Sequence, residues 1–140
     1  SIETAKVLVK EIDVQASAEQ LAEEKSTLMV ERAKDNLPKM PGIDAALARL
    51  REDYALGLMS GRRKVLVGPA LVRFGLDDAF DLVVTSDDRE PGDELDDLLT
   101  KTAEQLEVRP NQAVMVDDSR NGLLAAERAG LKTIAFNSNP

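Results

Sequence analysis

The run Ala113–Phe136, AVMVDDSRNGLLAAERAGLKTIAF, decides the fold of this chain. It opens on four apolar residues, Ala113-Val114-Met115-Val116, the kind of run that fills a buried parallel strand. Asp117 and Asp118 follow at once. Ser119 is a good N-cap, Leu123, Leu124 and Ala126 supply a helix with an apolar face, and Gly130 ends it. Thr133-Ile134-Ala135-Phe136 reads as the next strand. The unit is strand–helix–strand, with an acidic pair at the carboxyl end of its first strand. In open α/β sheets that edge is where ligands bind.

Working back towards the amino end, the same alternation repeats. Residues 95–106 have helical spacing, and Leu82-Val83-Val84-Thr85 is a buried strand followed by the acidic loop Ser86–Gly92. Arg62 to Phe74 reads as a helix stopped by Gly75, with Gly68-Pro69 expected to bend or break it. Ala55–Met59 is a strand that stops at Ser60-Gly61, and residues 43–53 form a helix on Ile43, Ala46, Leu47 and Leu50. Strands alternating with helices of this length give βαβ units and a parallel sheet. Right-handed crossovers place the strand ends on one edge.

Leu37-Pro38-Lys39-Met40-Pro41-Gly42 is a cluster of helix breakers and the expected domain boundary. Before it the sequence is helical, with apolar positions at Ile2, Ala5, Leu8, Val9 and Ile12. Ser17-Ala18-Glu19-Gln20 is a capping box that starts a helix running to about Asn36. The expected division is a helical segment at 1–38 and an α/β core at 39–140.

With 140 residues, 43% hydrophobic and 31% charged, the chain can bury a real core. The net charge of −8 argues against nucleic acid or an anionic membrane surface as partners and suits cations. Cysteine and histidine are both absent, which excludes disulfides, thiol chemistry and the usual general base. No apolar run reaches the roughly 18 residues of a membrane span. Ser1-Ile2-Glu3 reads as neither a signal nor a transit peptide, so a cytoplasmic protein is expected.

The expected ligand edge carries Ser60, Ser86-Asp87-Asp88, Asp117 and Asp118. Oxygen donors of this kind suit Mg²⁺, which takes one or two carboxylates plus waters and a substrate phosphate. A hydroxyl beside helix amides suits a phosphoryl oxygen. An acidic pair at a strand–helix turn also serves simply as a cap, and a lone serine as a turn residue. Asp77-Asp78 and the run Asp93–Asp97 read as solvated faces.

Taken together, these stretches resemble the haloacid dehalogenase-like superfamily, most closely its phosphoglycolate-phosphatase and β-phosphoglucomutase-like branch. Gly57-Leu58-Met59-Ser60-Gly61 resembles the second motif, which implies that Ser60 and Gly61 bind the phosphoryl group. Phe74-Gly75-Leu76, Phe80-Asp81 and Val84-Thr85-Ser86-Asp87-Asp88 resemble the segment before the third motif. Val116-Asp117-Asp118-Ser119 with Asn121-Gly122 resembles the fourth, which implies that Asp117 and Asp118 hold Mg²⁺. Ala129-Gly130-Leu131 resembles the usual exit from the following helix. The resemblance implies a Rossmann-like parallel sheet with flanking helices, plus part of an α-helical cap. It also implies hydrolysis of a small phosphorylated metabolite.

Two parts depart from the family pattern. The first motif, Asp-x-Asp-Gly-Thr, carries the nucleophile and the general acid/base, and it does not occur here. Residues 3–37 resemble the later helices of the cap, a reading in which the central strand is missing. The nearest alternative is Asp13-Val14-Gln15-Ala16-Ser17, a degenerate copy with Asp13 as nucleophile. In the third motif, Glu90-Pro91-Gly92 is followed by Asp93 where the family has a Lys. Two unit charges about 4 Å apart interact by about 4 kcal/mol at an effective dielectric near 20, so this reversal bears directly on phosphate binding. Lys101 and Arg89 are the cations near enough in sequence to replace the Lys.

Three readings follow. One is a Mg²⁺-dependent phosphatase that needs Asp13 or a strand from outside. The second is a non-catalytic fragment, engineered derivative or pseudoenzyme, whose open sheet edges invite a homodimer. A receiver-type phosphoacceptor is the third, and strand order disfavours it: its acidic pair follows the first strand, whereas this one precedes the last.

Overall fold

The computed structural model describes residues 38–137, together with Ser17, Gln20, Leu21, Glu24, Thr27 and Leu28. The chain divides into two compact units, Ser1–Met40 and Pro41–Pro140. In the first, the Ser17 amide donates to Gln20 Oε1 at 2.9 Å and the Gln20 amide donates to Ser17 Oγ at 3.1 Å. This reciprocal pair is the capping box read from the sequence. Gln20, Leu21, Glu24, Thr27 and Leu28 are helical. The helical spacing read at 2–12, and Asp13 with its neighbours, lie outside the described residues.

The second unit runs α1 (Ile43–Leu50), β1 (Gly57–Met59), α2 (Lys64–Phe74) and β2 (Leu82–Val84), then a 3₁₀ turn at Ser86–Asp88. It continues with α3 (Leu95–Gln105), a 3₁₀ turn at Pro110–Gln112, β3 (Val114–Asp117), α4 (Arg120–Arg128) and β4 (Lys132–Ala135). The helices and strands fall where the sequence pattern places them, within a few residues. Of the bend or break expected at Gly68-Pro69, the break does not occur: α2 continues through Pro69. Proline withdraws the bond to the carbonyl four residues back, at Val65. Val65 is exposed, so water can serve that carbonyl. Gly75 ends α2 at φ 63°, and the Leu76 amide donates back to the Leu71 carbonyl at 2.9 Å. That left-handed stop favours glycine.

The strands form two parallel pairs among the described residues, β1 with β2 and β3 with β4. Leu58 stands opposite Val83 and Val116 opposite Ile134. α3 and α4 pack on one another and carry the core. Leu99, Ala125 and Ala126 are its buried centre, and Met59 from β1 and Met115 from β3 both pack against it, with Leu95, Ala129 and Leu131. The small Ala125 and Ala126 let α4 lie close to the strands. An Asp96–Arg128 ion pair of 3.2 Å joins α3 to α4.

Candidate functional site

Asp117 is the last residue of β3 and is half-buried, while Asp118 lies just beyond it and is exposed. The Ser119 amide donates to Asp117 Oδ1 at 3.0 Å, and the Ser119 hydroxyl donates to Oδ2 at 3.0 Å. The same hydroxyl oxygen accepts from the Gly122 amide at 3.1 Å, which caps α4. One serine therefore fixes both the helix start and the carboxylate. A Cβ on Gly122 would stand 1.7 Å from Asp117 Oδ2. The glycine is what lets the carboxylate sit over the first turn of α4. The Asn-Gly pair of the motif signals this position, but nothing in the sequence reveals its steric cause.

Ser60 follows β1 directly, and its amide donates to the Val84 carbonyl at 2.8 Å, prolonging the β1–β2 ladder. Its Oγ accepts from the Arg62 amide at 3.2 Å. The hydroxyl lone pair is engaged with backbone, which leaves the hydroxyl proton for an oxygen acceptor. Gly61 is exposed, and a Cβ there would meet nothing within 4 Å, so no close approach within the chain requires glycine at this position.

The acidic loop after β2 belongs to the scaffold. Asp87 Oδ2 accepts from the Lys64 amide at 2.8 Å and Oδ1 from Arg63 Nε at 3.1 Å, so Asp87 caps α2 from a distant loop. The Lys64 amide, then the Arg63 guanidinium, holds the Asp87 carboxyl below its ordinary range. Asp88 Oδ2 accepts from both the amide and the hydroxyl of Thr85 at 2.8 Å. Those bonds, the amide first, lower Asp88 as well. The Ser86 amide donates to the Arg62 carbonyl at 3.0 Å, tying this loop to the one that carries Ser60. Three of the four carboxylate oxygens of Asp87 and Asp88 thus accept bonds from amides, a hydroxyl and a guanidinium within the chain.

The reversed charge at Asp93 is answered locally. Lys101 Nζ lies 2.8 Å from Asp93 Oδ2 and 3.1 Å from Oδ1, with Glu90 at 3.6 Å. The Arg89 guanidinium donates to the Asp93 carbonyl. Lys101 and Arg89 both turn to Asp93, and neither stands in for the absent Lys as an uncommitted cation. The ammonium pulls the Asp93 carboxyl down, and Asp93 raises Lys101 in return. The solvated-face reading is corrected for Asp93, whose side chain is only 15% exposed, and for Asp96, which pairs with Arg128.

The candidate oxygen ligands therefore reduce to Asp117 and Asp118 at the end of β3, with Ser60 at the end of β1. No group of three or more carboxylate, histidine or cysteine ligands is assembled among the described residues. Two hard oxygen donors still fit Mg²⁺, which keeps several waters and needs only one or two carboxylates.

This strand–helix scaffold places the chain in a known family. Residues 3–136 match the model of the haloacid dehalogenase-like hydrolases, and the chain belongs to that family. A pyrophosphatase PpaX of Bacillus cereus is 34% identical over 85 residues, covering 61% of this chain and 39% of that protein. The structure of a haloacid dehalogenase phosphatase from Thermococcus onnurineus superposes with a TM-score of 0.69 at 29% identity, over 96% of this chain and 59% of its own. A β-phosphoglucomutase from Clostridium difficile shares the fold with a TM-score of 0.72 at 21% identity, over 96% of this chain and 63% of its own. The chain spans about two fifths of the length of the curated relatives it matches. No described helix is long and apolar enough to cross a membrane.

Proposed function

We propose that this chain is the phosphate- and magnesium-binding core of a phosphomonoester hydrolase acting on a small phosphorylated metabolite, and that residues 1–140 alone do not turn it over. The observation that carries this reading is the Asp117 carboxylate, fixed by two bonds from Ser119 over Gly122. Asp117 and Asp118 would hold Mg²⁺, whose charge would offset that of a bound phosphoryl group. Ser60 donates its hydroxyl proton to a phosphoryl oxygen beside Gly61. A cytoplasmic setting is part of this reading.

Absence of turnover is expected on two grounds. Asp13 is the nearest match to the family's nucleophile, in a degenerate motif with Gln15 in place of the acid/base and Ala16 in place of the glycine. The cation that the family places after the third motif is replaced by an Asp93–Lys101 pair of no net charge. The experiment is hydrolysis of an aryl phosphate, and of pyrophosphate in view of the Bacillus relatives, with and without Mg²⁺. Mg²⁺-dependent turnover that is lost in Asp13→Asn would make Asp13 the nucleophile and overturn the inactive reading. A folded chain without turnover would support it.

The second reading is a metal-binding scaffold that dimerises through its sheet edges. It is favoured by the two separate strand pairs, each of which leaves an edge without a ladder partner among the described residues. Light scattering that gives a monomer at high concentration would remove it.

A further inference from the structure

From Arg62 to Leu76 the sequence holds four cations, Arg62, Arg63, Lys64 and Arg73, and no carboxylate, although the whole chain carries a net charge of −8. Within this stretch lies α2. A surface helix ordinarily keeps its apolar residues on one stripe and covers the opposite side with polar ones. α2 is built differently. Apart from its two cations, Lys64–Phe74 has no polar side chain, so the side turned to water is apolar as well.

Val67 marks the inner side, as the buried residue of α2. At about 100° per residue, Val65, Pro69 and Val72 stand about 140° to 200° around the axis from it. Val65 is 61% and Val72 65% exposed, and Pro69 is exposed too. As the crossover between the parallel strands β1 and β2, α2 lays its Val67 side on the sheet. The outer face is turned from the strands, and a strand added to the sheet leaves it open.

Val65, Gly68, Pro69 and Val72 occupy positions i, i+3, i+4 and i+7. These are the four corners of a hole that receives one side chain of a facing helix. Gly68 leaves the hole deep, because even a Cβ there would meet nothing within 4 Å. Lys64 lies on one flank of the hole and Arg73 on the other, about 100° and 80° around from Val65. Both are exposed, as are Arg62 and Arg63 at the start of the helix. Arg63 is shared with Asp87 at 3.1 Å. The face is therefore an apolar hole between two positive flanks, on a chain that is acidic as a whole.

We propose that the outer face of α2 docks an acidic amphipathic helix of a partner protein. That helix seats a leucine in the hole framed by Val65, Gly68, Pro69 and Val72, and sets carboxylates against Lys64 and Arg73. A helix fits better than an extended segment because the ridges of α2 repeat at helical spacing. An anionic membrane surface would use the same stripe and cations, but it repels a chain of charge −8 as a whole. A single docked helix meets chiefly the local positive flanks, since more distant charges are screened. The proposal is independent of phosphate or metal binding.

The test is fluorescence anisotropy of a labelled helical peptide of about 18 residues, titrated with the 140-residue chain. Its leucines follow the i, i+3, i+4, i+7 spacing and glutamates flank them. Two copies, one with lysine for glutamate and one with serine for leucine, are the controls. The glutamate peptide is expected to bind, and each control to bind at least about tenfold more weakly. Val65→Gln and Val72→Gln are each expected to weaken binding about tenfold, and Arg73→Glu about threefold, with unchanged circular dichroism. Raising NaCl from about 0.05 to 0.5 M is expected to weaken it as well. No binding at about 1 mM chain would overturn the proposal, as would equal binding of the lysine copy or parent-like binding by both glutamine variants. Binding that strengthens with salt would do the same. Sedimentation with phosphatidylserine vesicles that is lost in Val72→Gln would replace the helix with a membrane surface. Self-association lost in that variant would replace it with a second copy.

Discussion

Asp117 Oδ2 occupies the space in which a side chain on Gly122 would have to begin, 1.7 Å from the site of its Cβ. The strand's carboxylate and the helix's third residue are thus one packing unit, joined by the Ser119 hydroxyl. Gly122→Ala must expel the carboxylate or shift the first turn of α4. Either change breaks the Asp117–Ser119 bonds, and the cost is expected at about 2–4 kcal/mol, since overpacking and loss of a cap combine. Urea denaturation of the variant measures it. A change under about 0.5 kcal/mol, the ordinary range of a surface substitution, would mean that the carboxylate has room elsewhere.

Ser119→Ala separates the cap from the steric clash. It leaves Gly122 in place and removes the hydroxyl that accepts from the Gly122 amide. The expected loss is about 1 kcal/mol, the usual value for an N-cap serine. Because the Ser119 amide still reaches Asp117 Oδ1, the carboxylate is expected to stay near its place. The variant should therefore bind Mg²⁺ more weakly than the parent but still measurably, by calorimetric titration. Complete loss of binding would show that the hydroxyl, and not the amide, orients the ligand.

Magnesium itself provides the next test. A ligand that binds only the folded state at 100 times its Kd stabilises by about 2.7 kcal/mol, which for a domain of this size raises the Tm by about 10 °C. The parent chain is expected to show such a rise with Mg²⁺, and Asp117→Asn to abolish it. A parent that does not respond at millimolar Mg²⁺ would remove the metal from the proposed function.

Much of this architecture is legible in the sequence, because its signals are local. The apolar runs at 82–84 and 114–116, the capping box at Ser17 and Gln20, the Ser119 cap and the Gly75 stop each depend on neighbours within a few positions. What the sequence conceals is pairing at a distance. Asp87 caps a helix that starts 23 residues earlier, and Lys101 reaches Asp93 from eight residues further on. A run of acidic residues looks alike whether solvated or committed to a partner, and only the fold brings Arg63, Lys64 and Lys101 to these carboxylates. The steric role of Gly122 is hidden for the same reason: it depends on where the Asp117 side chain lies. Asp13 and the helical pattern at 2–12 fall outside the described residues.

Those committed carboxylates set the pH dependence of stability. Asp87, Asp88, Asp93 and Asp96 are all held below the ordinary value of 3.8, by the Lys64 amide, the Thr85 amide, Lys101 and Arg128 respectively. A carboxylate with a lowered folded-state pKa contributes stability that is fully present above its unfolded value and is lost as pH falls through the folded one. The chain is therefore expected to hold its urea midpoint down to about pH 4 and to lose stability steeply below it. Lys101 behaves oppositely: raised above 10.5 by Asp93, it contributes below that value and loses its contribution as pH climbs through the raised one. Asp93→Asn removes the acid effect and the larger part of the alkaline one, leaving Lys101 only the weaker pull of Glu90. Its acid limb should be shallower than the parent's, and its alkaline limb should lose most of the part that depends on Lys101. Urea midpoints from pH 2 to 12 for the parent, Asp93→Asn and Lys101→Met test the coupling. If the two variants shift the acid and alkaline limbs independently, the pair does not hold the β2–α3 loop to its helix.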